Sequence, residues 1–443
     1  MEVFVVENNQ LQKNLGLGAA LSTLIGGVIG SGVFFKPQAI YTATGGAPGL
    51  GMLGWIVAAL ITIAAGLTVA ELAVVIPKTG GMMMYIEEVY GKKIGFLSGW
   101  VQALLFYPGM IAALAVIFSE QFAVLSGMAA LKVPLAIVLI LLVAFLNSMG
   151  SKSGSIIQNI STICKLAVLV GLIILGFVLG EGNNTVITPM TGEGVNVASA
   201  FGQILLAIFF AFDGWMNVTA LAGEMKNPGK DLPRAIVGGI SVVAAVYLII
   251  NVSYLWVAPA SELANSVSPA SLVATRILGP AGAKVIGVGI MVSVFGATNA
   301  YLFTGSRVLY ALAQSKHLPL SEKIGSLNKN QSPAFALLVL SLIAAVYALS
   351  GQFNLLTDLA MFSVWIFIVL SFLAVIKLRK TQPNLERSYK VPLYPIMPIV
   401  ATASGLFVLV SQLFNAPLLA CGSIAIMLLG LPVYSIYEKK LSK

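Results

Sequence analysis

Twelve apolar runs, most of them about as long as a bilayer interior is thick, dictate what this chain can become. They are 15–41, 50–76, 94–125, 133–147, 156–179, 198–222, 235–257, 283–313, 333–350, 355–376, 396–414 and 417–437, called spans one to twelve below. A hydrocarbon core of about 30 Å takes roughly 20 helical residues to cross. Only 9% of the residues are charged and 58% are hydrophobic, with a mean hydropathy of +0.96, whereas soluble chains carry about 25% charge. The fold class expected is an all-α polytopic membrane protein. The fourth span is short and the first, third and eighth are long, so tilt and kinks must absorb the mismatch.

The net charge of +9 reads as a topology signal rather than a nucleic-acid footprint. With the N-terminus placed in the cytoplasm, 19 of the 25 Lys and Arg residues fall in inside segments. Three lie outside (Lys132, Arg276, Lys284) and three within spans (Lys36, Lys165, Arg307), the bias that orients membrane proteins. A multi-pass protein of the cell (inner) membrane with both termini cytoplasmic is expected. The acidic N-terminal stretch carries no small-residue cleavage site, so no cleavable signal peptide is expected. Cys164 and Cys421 lie in apolar runs, where a free thiol behaves as a small hydrophobe. They supply no disulfide framework.

One domain covers 1–443, since no polar block is long enough for a soluble module. Residues 77–93 suit a short amphipathic turn on the cytoplasmic face, and 258–282 a short helix over the outer vestibule. Spans one to five and six to ten share one plan, and an odd number of spans inverts the second copy, giving repeats at about 15–179 and 198–376 with extra helices at about 396–437. Each unit begins with a glycine-interrupted helix, the mark of an inverted repeat with its binding site at the midplane.

The first interruption is Gly30-Ser31-Gly32 within residues 24–35. Gly26 and Gly30 could serve as a GxxxG packing face. Alternatively the half-helix beginning near Val33 points free amides and its positive dipole end at an anion such as a carboxylate. The carbonyls of Val28 and Ile29 would then face an ammonium. The second interruption, Phe210-Ala211-Phe212-Asp213-Gly214-Trp215, places two poor helix formers mid-span. Carbonyls of Phe210, Ala211 and Asp213 complete an ammonium site, so the ligand is expected to be an α-amino acid. Phe210 is either a gate over that ligand or core packing. The Asp213 side chain could attract a cation, but capping the second half-helix is the favoured role.

Lys165 lies near the middle of span five, where an unpaired ammonium costs a few kcal/mol. It is expected to donate to carbonyls of the broken first span, Gly26 among them, and to a hydroxyl on span eight such as Ser293. Lys36 and Arg307 can snorkel or meet carbonyls. Glu71, Glu120, Arg307 and Asp358 sit near span ends, which favours solvation. Tyr247 and Asn251 share a face of span seven, with ordinary interhelical bonding expected. His317, the only histidine, is in a cytoplasmic loop, which excludes a histidine proton relay within the membrane.

Six stretches in series resemble bacterial members of the L-type amino acid transporter (LAT) family of the amino acid-polyamine-organocation (APC) superfamily. They are Ile29-Gly30-Ser31-Gly32-Val33-Phe34, Pro77-Lys78-Thr79-Gly80-Gly81, Tyr85-Ile86-Glu87-Glu88-Val89-Tyr90-Gly91, Phe210 to Trp215, Gly223-Glu224-Met225-Lys226-Asn227-Pro228 through Leu232-Pro233-Arg234-Ala235, and Tyr389-Lys390-Val391-Pro392-Leu393-Tyr394-Pro395. The resemblance is strongest to alanine-serine-cysteine and serine-threonine exchangers. It implies a LeuT-type fold and sodium-independent obligatory exchange of small neutral L-amino acids. It implies carboxylate-binding amides at Ser31 and Gly32, amine-binding carbonyls at Val28, Phe210 and Asp213, a gate at Phe210, and Lys165 as the lysine of span five. It also implies rocking of spans one, two, six and seven against three, four, eight and nine. Animal members usually carry Gly where Asp213 stands, and they join a heavy subunit through a Cys in the loop between spans three and four. That loop, Ser126 to Lys132, has no Cys here, so no disulfide-linked heavy subunit is expected. No cofactor or metal ion is expected.

The rival within transport is a proton-coupled symporter in which Lys165 titrates. A channel would need a filter or charged ring, and an intramembrane enzyme a catalytic set such as His-Glu-x-x-His. Neither pattern is present.

Overall fold

The computed structural model describes residues 11–182 and 185–442. The acidic stretch weighed as a signal peptide, residues 1–10, lies outside them. Span one is two helices, Leu17–Val28 and Gly32–Ala43, separated where Ile29 leaves helical geometry at ψ 87°. Span six is likewise a helix, Val197–Ala211, followed by a 3-10 segment, Trp215–Glu224. Between them run span two (Gly49–Val75), span three (Lys92–Val101 continuing through a π turn to Tyr107–Ser126), span four (Lys132–Ser148) and span five (Ser151–Leu179). Spans seven (Pro228–Val257), eight (Pro280–Gln314), nine (Ala334–Ala348), ten (Phe353–Thr381), eleven (Ile396–Asn415) and twelve (Pro417–Leu441) follow.

Spans five and seven begin before their apolar runs, at Ser151 and Pro228. The helix persists into the polar interface, where hydropathy no longer marks it. Among the described residues, 11 helices are long and apolar enough to cross a membrane. The ninth of the twelve expected is shorter: its 15 residues reach about 22 Å at 1.5 Å per residue. Pro333 stands at its N-cap, where its missing amide prevents an earlier start.

Spans three and six form the middle, with 89% and 83% of their most apolar windows buried. Spans four, five, eleven and twelve are mostly uncovered and turn large side chains such as Phe145, Ile163, Phe414 and Leu418 outward. An outward apolar face suits a hydrocarbon solvent. Cys164 and Cys421 are on these exposed faces. Span one packs on five, seven and eight, span two on seven, and the second half of span one on the first half of six. The helix Met82–Tyr90 occupies the stretch expected to be an amphipathic turn, and Ala260–Ala264 and Pro269–Leu278 occupy the loop between spans seven and eight.

Candidate functional site

The two breaks face one another. A Cβ on Gly32 would come within 2.7 Å of Ala211 Cα, so only glycine permits this approach of the two half-helices. Gly214 holds φ at +95°, a left-handed conformation that side chains resist. A Cβ there would also fall 2.9 Å from Tyr301 Oη.

At the first break the Gly30 amide turns back to the Val28 carbonyl at 2.8 Å. The helix restarts with Ser31 as N-cap but without a side-chain cap. Among the described residues, the amides of Ser31, Gly32 and Val33 donate to no acceptor. The hydroxyl of Ser31, 2% exposed, also has no partner. Orphan amides at a helix start bind anions through their N–H groups and the helix dipole.

Lys165 is fully buried and donates to the carbonyls of Gly26 at 2.7 Å and Ile29 at 2.6 Å. Ser293 differs from expectation: its hydroxyl donates to the carbonyls of Ile29 (3.2 Å) and Gly30 (3.1 Å) instead of accepting from Lys165. Two donors converging on one carbonyl leave the hydroxyl proton committed. The Ile29 carbonyl thus accepts the Lys165 ammonium rather than one from a ligand, because a carbonyl has two lone pairs and both are taken. Val28 is similarly engaged, by the Gly30 amide and by Tyr247 Oη at 3.1 Å. Gly26 also packs against span five, where a Cβ would strike Gln158 and Thr162, so the packing and carbonyl roles coexist.

Tyr247 does more than ordinary interhelical bonding. Its hydroxyl also lies 3.0 Å from the Ala211 carbonyl, bridging the two breaks, while Asn251 bonds the Tyr247 carbonyl within its own helix. The Phe210 carbonyl accepts from the Asp213 amide at 3.1 Å. The Asp213 carboxylate meets the Gly214 amide at the start of the second half-helix and also accepts from Tyr301 Oη of span eight at 2.9 Å. Tyr301 was not foreseen; a tyrosine in an apolar span reads as core.

Val28, Gly30, Ser31, Gly32, Phe210 and Asp213 line one small cavity, with Met110 and Leu114 of span three and Tyr301 of span eight as its remaining walls. Ile29 and Ala211 do not line it. Phe210, half-buried, also lines a larger space with Lys36 and Asp358. Asp213 also lines a third space with Asn217 and Gln102. The midplane cavity is thus bounded by one aromatic ring on one side and one carboxylate on the other.

Two expected solvated charges are buried. Arg307 and Glu224 are 0% exposed and pair at 2.7 Å, with Ser151 bonded to both. Glu71, 1% exposed, meets Arg379 at 2.5 Å, Arg387 at 3.1 Å and the Val391 amide at 2.8 Å. In each case the partner comes from a distant segment. Glu120 keeps only a loose, exposed contact with Lys132 at 3.9 Å. Lys36 neither snorkels nor meets a carbonyl: its ammonium lies 4.2 Å above the Phe210 ring. His317 stacks on Tyr434 at 4.4 Å, in the segment after span eight.

Two broken helices presenting bare main-chain groups to an enclosed midplane cavity define a membrane transporter of a small polar solute. The amino acid permease family model matches residues 15–433. The chain belongs to this family, of the amino acid-polyamine-organocation superfamily, and is a multi-pass cell-membrane transporter of amino acids, not an enzyme. It is 40% identical to the serine/threonine exchanger SteT of Bacillus subtilis, over 98% of this chain and 99% of that one. It is 32% identical to the b(0,+)-type amino acid transporter 1 of Homo sapiens, over 93% of this chain and 85% of that one. It is 31% identical to the human large neutral amino acids transporter small subunit 2, over 96% and 80%.

Proposed function

We propose that this protein exchanges small neutral L-amino acids by alternating access, without sodium and without a disulfide-linked heavy subunit. The observation that carries the reading is the Lys165 ammonium on the carbonyls of Gly26 and Ile29, beside three unpartnered amides and the free Ser31 hydroxyl. A fixed cation fills the position where a dissolved one would bind, and the amides take the substrate carboxylate. The substrate amine falls to the carbonyls of the second break, chiefly Phe210 and Asp213. The tight walls of Met110, Leu114 and Tyr301 around the breaks favour a short side chain. Phe210 closes the outer side. The termini are cytoplasmic, by the basic-residue bias, and residues 15–179 and 198–376 act as inverted repeats. Without a cation site that fills and empties, the unloaded carrier returns slowly.

Reconstituted vesicles test this. Uptake of radiolabelled L-serine is expected to depend on an internal amino acid and to be unchanged when choline replaces sodium. Equal uptake into empty and preloaded vesicles overturns obligatory exchange. Uptake into empty vesicles that rises with an imposed pH gradient supports instead the symporter with a titrating Lys165.

A further inference from the structure

We infer that Lys36 is a positioning residue for the outer gate: with Asp358 in the same cavity, its ammonium lies on the Phe210 ring and latches it across the substrate cavity. The inference rests on the reading of Phe210 as the gate and adds what holds that gate shut.

Three observations meet here. Phe210 separates the midplane cavity from the outer one, lining both. Lys36 Nζ lies 4.2 Å from the centre of the ring, while Phe353, at the start of span ten, stands edge-on to the same ring at 5.9 Å and 88°. Asp358, one turn and a half further along span ten, lines the outer cavity with Lys36 and is its charged neighbour. The ring is therefore gripped between a cation on the second half of span one and an aromatic edge on span ten.

Chemistry favours this geometry. An ammonium over a benzene face is attracted by the ring quadrupole, more strongly when water is scarce. Lysine in the outer part of a span would ordinarily extend toward the interface. Here it turns to the ring, with a carboxylate in the same cavity to offset its burial. Phe210 is half-buried, packed on the edge of the core with part of its ring open to the cavity. The contact joins span one to span six, and the Phe353 ring joins the same phenyl to span ten. Opening the outer side must separate these groups, and arrival of a substrate must let them close.

A double-mutant cycle in reconstituted vesicles tests the latch, with L-serine counterflow read as external KM and kcat. The proteins are wild type, Lys36→Met, Phe210→Leu, the double variant and Lys36→Arg, each checked for a monodisperse gel-filtration profile. Lys36→Gln replaces Lys36→Met should the latter not purify. Loss of the ammonium is expected to raise external KM about tenfold, with kcat within about a factor of two. Lys36→Arg, which keeps the cation over the ring, is expected within about threefold of wild type. In the Phe210→Leu background, removing Lys36 should cost nothing more. Multiplying effects in the double variant, or an unchanged KM in Lys36→Met while Phe210→Leu is impaired, overturns the latch and leaves the gate standing. A Phe210→Leu protein with wild-type KM and kcat overturns the gate itself.

Discussion

Replacing Lys165 by alanine strikes the one charge that holds the first break open. The Gly26 carbonyl has lost its helical donor, because the Gly30 amide turns to Val28, so Lys165 is its partner at 2.7 Å. Ile29 keeps Ser293 when Lys165 is gone. A buried acceptor left bare costs about 1–3 kcal/mol, and a charge-assisted bond contributes about 1.5–3 kcal/mol. Part of the second loss is offset, since an ammonium no longer has to be desolvated at membrane depth. A net penalty of about 3 kcal/mol on the substrate-ready arrangement lowers its population roughly 150-fold. Counterflow of radiolabelled L-serine in vesicles should therefore fall to about 1% of wild type. The gel-filtration profile should be unchanged, because the alanine sits in a continuous helix, Ser151–Leu179. A purified Lys165→Ala protein exchanging at more than about a third of the wild-type rate would refute the assignment, since that gap corresponds to less than about 1 kcal/mol.

Other substitutions separate the remaining roles. Gly32→Ala places a methyl within 2.7 Å of the Ala211 backbone and should abolish binding of L-serine measured by scintillation proximity. Tyr301→Phe removes the donor to Asp213 and should raise KM roughly 5- to 150-fold, the range for about 1–3 kcal/mol at a buried acceptor. Arg307→Met strands the buried Glu224 carboxylate and should lower thermal stability in detergent by about 3–5 kcal/mol. Pairing it with Glu224→Met should recover much of that loss, because an apolar pair of similar volume is tolerated where a lone charge is not.

Main-chain features were legible from the letters, because glycine and aspartate inside an apolar run conflict with continuous helix. Gly30-Ser31-Gly32 and Asp213-Gly214 mark the breaks where they occur. Lys165 was legible for a similar reason: no cation is placed at that depth without acceptors. Side-chain partnerships across the bundle were not. Tyr247 meets Val28 across 219 residues of chain, and Arg379 meets Glu71 across 308. Local pattern carries no such pairing, so tyrosines looked like core and charges near span ends looked solvated. The ninth span was legible at 333–350, but the helix there stops two residues earlier, at Ala348.

Glu71 has a wider consequence. It sits near the C-terminal end of span two, yet its carboxylate is fastened to Arg379 at the end of span ten and to Arg387 and Val391 in the segment leading to span eleven. Span eleven also packs along span two and span ten. In the proposed cycle, in which span two rocks, a helix beyond the two proposed repeats is thus riveted to a moving element. It travels as freight on that element instead of standing as a fixed post in the lipid, so whatever lipids or neighbouring copies press on span eleven load the moving part of the machine directly.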